Sequence, residues 1–175
     1  MKYRLPRLED KNIITLYIQE HYARGEENLS ATNMLTSMPF EEWINKINDN
    51  SVNPDKEWGK SLTYLIFDEE KLVGFLSVRY DLPIELASIY GHIGYGIRPS
   101  ERGKGYATKA LQFGLEECRK QGMKKVILGC HKENIASAKS IIKNGGKLIK
   151  EVDNFVNVNN FYNINLINQY YEIIL

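Results

Sequence analysis

Ile97-Arg98-Pro99-Ser100-Glu101-Arg102-Gly103-Lys104-Gly105-Tyr106-Ala107-Thr108 is the stretch that decides the fold of this chain. Upstream lies an apolar, glycine-spaced run, Tyr90-Gly91-His92-Ile93-Gly94-Tyr95-Gly96, and downstream a periodic segment that closes at Gly122. The order reads strand, glycine-rich turn, helix. Pro99 fixes its own φ and drives Arg98 toward an extended conformation, so the strand ends there. Gly103 and Gly105 carry no Cβ, which frees the backbone angles and lets a ligand come close. Ala107 and Thr108 keep the first helical turn uncrowded. Such a turn aims several N–H groups at one point, and the start of the helix adds partial positive charge. Arg102 and Lys104 add full charges. The combination suits a phosphorylated ligand, cradled by the amides of Arg102, Gly103, Lys104, Gly105, Tyr106, Ala107 and Thr108.

The spacing separates this turn from other phosphate loops. A nucleotide loop needs G-x-x-x-x-G-K-[ST] and a dinucleotide fold needs G-x-G-x-x-G after its first strand, and neither is present. What is present is Arg102-x-x-Gly105-x-Ala107. It resembles the R/Q-x-x-G-x-G/A signature of the GNAT superfamily of N-acetyltransferases, in which this loop grips the pyrophosphate of acetyl-CoA. The longer run from Gly91 to Thr108 is similar to that of a bacterial acetyltransferase subgroup. The resemblance covers most of residues 60–150 and, more loosely, the N-terminal helices.

The 175 residues make one compact domain over 1–175 the default. A chain with 43% hydrophobic and 26% charged residues can bury a core without staples. With 23 basic and 22 acidic residues, nothing predicts attraction to nucleic acid or to a membrane surface. No apolar run approaches the ~18 residues of a membrane span, and the N-terminus lacks the apolar stretch of a signal peptide. Cys118 and Cys130 stand without metal or redox spacing, and the three His and two Cys residues offer no metal-ligand pattern. A cytoplasmic location follows as the expectation; a homodimer is left open.

In order, residues 2–8 read as a strand and 11–24 as an amphipathic helix through Ile13, Ile14, Tyr17, Ile18 and His21. Pro39 opens a second helix, whose apolar face is Phe40, Trp43, Ile44 and Ile47; residues 49–55 break it. The period then changes: 61–67 and 72–80 form a hairpin across Asp68-Glu69-Glu70-Lys71, with Gly74 at a bulge. Residues 81–89 are ambiguous. Residues 90–98 read as a strand, with His92, Gly94, Gly96 and Arg98 on one face and Ile93, Tyr95 and Ile97 on the other. A helix from Lys104 to Gly122, a strand over 125–130, a helix over 136–143 and strands over 147–156 and 166–174 follow. The Asn-rich segment between the last two has no legible register. This is an α/β arrangement: a central mixed, mostly antiparallel sheet with helices on both faces. It is also the element order of the GNAT fold.

Acetyl transfer to an amine needs a held and polarised thioester, an amine that loses a proton, and a thiolate that can leave. The resemblance implies that backbone N–H groups of Gly96 and Ile97 meet the pantetheine arm and the acetyl oxygen, an electrostatic role. Gly94 and Gly96 weaken a strand for no packing gain, which points to close approach of a ligand. The resemblance also places Asn134, in Asn134-x-x-Ser137, beside the pantetheine; as a residue type it equally suits a helix N-cap. Where relatives carry a tyrosine acid, this chain has Ile141, so water, Tyr95 or a C-terminal tyrosine is left as proton donor. An alkyl amine has a pKa of about 10, so a base is needed. His92, on the strand leading to the acetyl site, titrates in the useful range. Family position points to Glu85 as a water-activating carboxylate, and His131 ends the neighbouring strand. Lys139 and Lys143 share one face of the helix after Asn134 and could meet the ribose phosphate of CoA, although a solvated face is the more ordinary role of such lysines. The expected activity is transfer of acetyl from acetyl-CoA to a primary amine, small or peptide, in a ternary complex without metal. The competing expectation is an acyl-CoA-binding sensor or interaction module on the same fold.

Overall fold

The computed structural model describes residues 1–54, 59–80, 82–158 and 162–175, with backbone alone over 154–158 and 162–166. After a short strand β1 (Lys2–Arg4) come helices α1 (Lys11–Tyr22) and α2 (Phe40–Val52). Helical spacing puts Ile14, Tyr17 and His21 on the inner side of α1 and Trp43, Ile44 and Ile47 on that of α2. These apolar side chains bury themselves against Leu65, Phe67, Leu72 and Phe75 on one face of the first sheet. That sheet is built of β1, β2 (Lys60–Asp68), β3 (Lys71–Tyr80) and β4 (Ile93–Ile97), in that order and antiparallel throughout. The β2–β3 register slips between Ile66 and Phe67, beside the expected bulge at Gly74.

The ambiguous stretch after β3 contains helix α3 (Ile84–Tyr90), opened by Pro83. Gly91, at φ 72°, turns the chain out of α3, which is why β4 starts at Ile93 rather than at the expected Tyr90. Helix α4 (Tyr106–Lys120) covers the other face of the first sheet. Its Ala110, Leu111, Leu115 and Cys118 pack with Leu76, Val78, Ile93 and Ile97 below and with Val126 and Leu128 of the next strand. The second sheet runs β5 (Lys125–His131), β7 (Tyr162–Ile174), β6 (Lys147–Val158), again antiparallel, with α5 (Ile135–Lys143) between β5 and β6 in sequence. The last two strands are longer than expected and pair up to Val158 with Tyr162. The side chain of Tyr162, which by sequence could contribute to an acceptor site built from the C-terminal strands, lies outside the described side chains.

The sheet therefore comes as two halves. They touch where His92 N–H donates to the Ile127 carbonyl at 2.7 Å. Beyond that point no ladder joins β4 to β5 among the described residues, and a cavity opens between them.

Candidate active site

The turn after β4 folds as its residues require. Pro99–Glu101 form one 3-10 turn, Gly103 and Gly105 adopt φ of 78° and 82°, and α4 starts at Tyr106. Both glycine angles lie in the left-handed region that side chains disfavour. No atom stands within 4 Å of where a Cβ on either would be, so the turn faces open space. The first turn of a helix leaves its N–H groups without partners. Here no acceptor of the described chain takes the N–H of Gly103, Lys104, Gly105, Tyr106, Ala107 or Thr108. The turn thus presents a run of unpartnered N–H groups to open space, where the sequence reading expects a phosphate cradle.

Its charges are less available than the motif suggests. The Arg102 guanidinium forks onto Glu26, at 2.6 Å to each carboxylate oxygen, while its Nε–H donates to the Ile97 carbonyl at 3.1 Å. Arg102 first, then the hydrogen bond from His21, holds the Glu26 carboxyl down at about 2. Burial pushes the His21 imidazole below its ordinary value, and Glu26 opposes that shift. Lys104 and Lys71 both reach the buried carboxylate of Glu101. Glu20 accepts from Ser100 N–H at 2.7 Å and from Arg98 Nε at 2.8 Å. Helix α1 and the residues just after it therefore clasp the turn through two carboxylates.

A cleft of about 500 Å³ runs from the cradle along β4; Arg102, Gly105, Ala107, Gly96, Ile97 and Lys139 are among its walls. It meets an inner cavity of about 290 Å³ between the two sheets, whose walls include Gly129, Cys130, His131 and Tyr170. Ser30, Tyr95, Asn134 and Ser137 line both.

Register decides which amides of β4 face the cleft. Arg98 N–H donates to the Val73 carbonyl, and antiparallel pairs alternate. Gly96, opposite Phe75, therefore turns its N–H to β3, whereas Tyr95 and Ile97 turn theirs to the open edge. The close approach expected at Gly96 is made by the chain itself. A Cβ there would stand 2.8 Å from the Ser30 carbonyl oxygen and 3.3 Å from the Tyr17 hydroxyl. That hydroxyl and His21 Nε2 are buried without a hydrogen-bond partner among the described residues.

Asn134 caps α5, its side-chain oxygen accepting from Ser137 N–H at 3.1 Å. The Tyr95 hydroxyl lies 3.0 Å from Ser137 Oγ, and burial pushes its pKa up to about 12. Ile141 is buried in the core, 1% exposed, so α5 presents no phenol there. The two residues read as proton acceptors lie apart from the cavities. His92 is buried and accepts a hydrogen bond from Ile127 N–H at Nδ1; Glu85 is exposed on α3. Neither is among the walls of the cleft or the inner cavity, whereas His131 is. Burial raises the pKa of the Cys130 thiol, the opposite of what a nucleophile needs. No cluster of three or more metal-ligating side chains occurs among the described residues, and no helix among them is long and apolar enough to cross a membrane. Sequence reading missed Ser30 and Glu26, which sit in a polar loop. Only the packing brings Glu26 to a residue 76 positions away.

Solved structures share this architecture. An N-acetyltransferase from Staphylococcus aureus Mu50 superposes with a TM-score of 0.68 at 20% identity, covering 99% of this chain and 97% of that one. The ribosomal L7/L12 alpha-N-protein acetyltransferase RimL, determined in complex with coenzyme A, gives 0.72 at 20% identity, covering 99% and 93%. A ribosomal-protein-alanine N-acetyltransferase from Brucella melitensis gives 0.68 at 19% identity, with both chains covered completely. No curated protein matches the sequence significantly. The sequence model of the acetyltransferase (GNAT) family matches residues 30–141, the span that carries the cradle, both cavities' shared walls and the start of α5. With that match over most of its length, the chain belongs to the acetyltransferase (GNAT) family.

Proposed function

We propose that this protein transfers the acetyl group of acetyl-CoA to a primary amine, directly, with both molecules bound at once. One observation carries the reading: the unpartnered cradle amides, the open edge of β4 and the inner cavity form one continuous path. A long ligand with a diphosphate at one end and a thioester at the other fits such a path, and the cleft volume is in the ordinary range for a ligand site. The RimL neighbour, determined with coenzyme A, supports the same ligand.

The residues divide the work as follows. The amides from Gly103 to Thr108 take the diphosphate, each charge-assisted hydrogen bond contributing about 1.5–3 kcal/mol. Arg102 holds the loop in place from behind. Ile97 N–H is available to the arm lying along β4, and Gly96 lets Ser30 close the path from above. Asn134 and Ser137 line the narrow part of it. Acetyl-CoA supplies the acetyl group already activated as a thioester. Tyr95 keeps its proton at neutral pH and is placed to hand it to the departing thiolate. We give the amine proton to His131, which lines the inner cavity, rather than to His92 or Glu85, which do not.

The acceptor fits best as an α-amine. Among the described walls of the inner cavity there is no carboxylate to hold a charged ammonium group. An α-amino group titrates at about 8 and a lysine side chain at about 10.4, so the former is far more often neutral at physiological pH. A relative named for acetylating the α-amine of a ribosomal protein points the same way. Thiol release measured over a panel of peptides, amino acids and polyamines tests this. Turnover with peptide α-amines and little with polyamines is expected; the reverse order would contradict it. Ile141, in place of the expected tyrosine, favours a second reading as a sensor, which binding without turnover on every acceptor would establish.

A further inference from the structure

We infer that Lys139 on α5, and not Arg102 of the loop motif, is the side-chain cation that binds the phosphate groups of the acyl-CoA. The inference rests on the acetyl-CoA reading above and adds a binding residue to it. Arg102 and Lys139 are the cations among the cleft walls. Arg102 has spent its fork on Glu26 and its Nε–H on Ile97, so its charge is already matched. Behind Glu26 stands His21, whose Nδ1 lies 2.8 Å from the carboxylate. The neighbouring cations are matched too: Arg98 by Glu20, and Lys71 and Lys104 by the shared Glu101. A guanidinium fork fits one carboxylate or one phosphate, not both, and Glu26 occupies it.

Lys139 has no ion-pair partner among the described residues, and it is exposed in the cleft wall. Its neighbour Ser140 is held 3.3 Å from the Thr108 hydroxyl, and Asn144 donates to the Thr108 carbonyl at 3.1 Å. These bonds fix α5 against the first turn of α4, so that Lys139 stands beside the free amides of the cradle. A lysine on a flexible stem, unspent on any carboxylate, can follow a phosphate at little cost. Arg102 serves instead as a strut that ties the cradle to the end of α1.

Calorimetric titration of acetyl-CoA into the wild type, Lys139→Gln, Lys139→Arg and Arg102→Gln, each at two salt concentrations, tests this. Lys139→Gln should weaken binding about five- to tenfold and flatten its salt dependence, with Lys139→Arg close to wild type. Arg102→Gln should lower the melting temperature and change the affinity less than Lys139→Gln does. A parallel titration with 3′-dephospho-CoA tells the two phosphate sources apart: a deficit that persists assigns Lys139 to the diphosphate, one that vanishes to the 3′-phosphate. Wild-type affinity and salt dependence in Lys139→Gln would overturn the inference. A wild-type protein that takes up no acetyl-CoA would instead sink the reading beneath it.

Discussion

His92 and Ile127 hold each other twice: His92 N–H donates to the Ile127 carbonyl at 2.7 Å, and Ile127 N–H donates to His92 Nδ1 at 2.9 Å. The imidazole stands in for the next residue of a strand and pins the two sheets at the point from which they diverge. Accepting at Nδ1 requires the neutral ring with its proton on Nε2. Burial, reinforced by Arg79 and Lys125, lowers its pKa.

The sign of the pH dependence follows. The folded pKa lies below the unfolded value of about 6.5, so the unfolded chain takes up the proton first. The stabilisation is complete above about pH 6.5 and is lost as pH falls through the window below it. His21 shifts in the same direction, again mainly through burial. Thermal melts from pH 8 to 5 should show a falling midpoint below pH 6.5. His92→Asn, which keeps an acceptor near the Nδ1 position but does not titrate, should flatten that fall. His92→Leu leaves Ile127 N–H unpaired and should cost about 1–3 kcal/mol, with kcat little changed. A lost kcat in a fully folded His92→Asn protein would return this residue to the chemistry.

Gly96→Ala should disturb the segment after α1 rather than β4. The new methyl would meet the Ser30 carbonyl oxygen at 2.8 Å, closer than real Cβ contacts come. Backbone must shift, at a cost of about 1–3 kcal/mol. Because Ser30 lines both cavities, the KM for acetyl-CoA should rise together with the loss of stability. Steady-state kinetics beside a melting curve would show it, and an unchanged KM would separate Ser30 from the ligand path.

Tyr95→Phe should lower kcat about tenfold or more while leaving the affinity for acetyl-CoA within a factor of about three, as expected for loss of a general acid. The phenol bonds Ser137 and lines both cavities, so the ring can stay while the proton goes. Unchanged turnover would pass the proton to water.

Tyr17→Phe should be neutral or stabilising. The hydroxyl is buried without a partner among the described residues. Removing an unmade hydrogen bond recovers a desolvation cost of about 1 kcal/mol, whereas removing a made one loses it. Chemical denaturation of the two proteins decides the sign.

What could be read from sequence was what is local. Pro99, Gly103 and Gly105 dictate their own turn, and the 3.6-residue period of Ala110, Leu111, Leu115 and Cys118 dictates α4 and its buried face. Helix α3 escaped because seven residues after Pro83 are too few to show a period. The extent of β6 and β7 escaped because an Asn-rich run has no apolar alternation. At the site, the backbone of the turn was legible and its wiring was not. Whether Arg102 meets a phosphate or Glu26, and whether His92 faces the cleft or Ile127, depends on packing between segments far apart in the chain. The same holds for Gly96: its small size was legible, but its neighbour turned out to be Ser30.

The most direct test of the account is calorimetric titration of acetyl-CoA into the wild type and into Gly105→Asp, which sets a carboxylate in the open space above the cradle. The account predicts saturable one-to-one binding by the wild type and its loss in a Gly105→Asp protein that still folds. Equal binding by both, or none by the wild type at millimolar ligand, would contradict it.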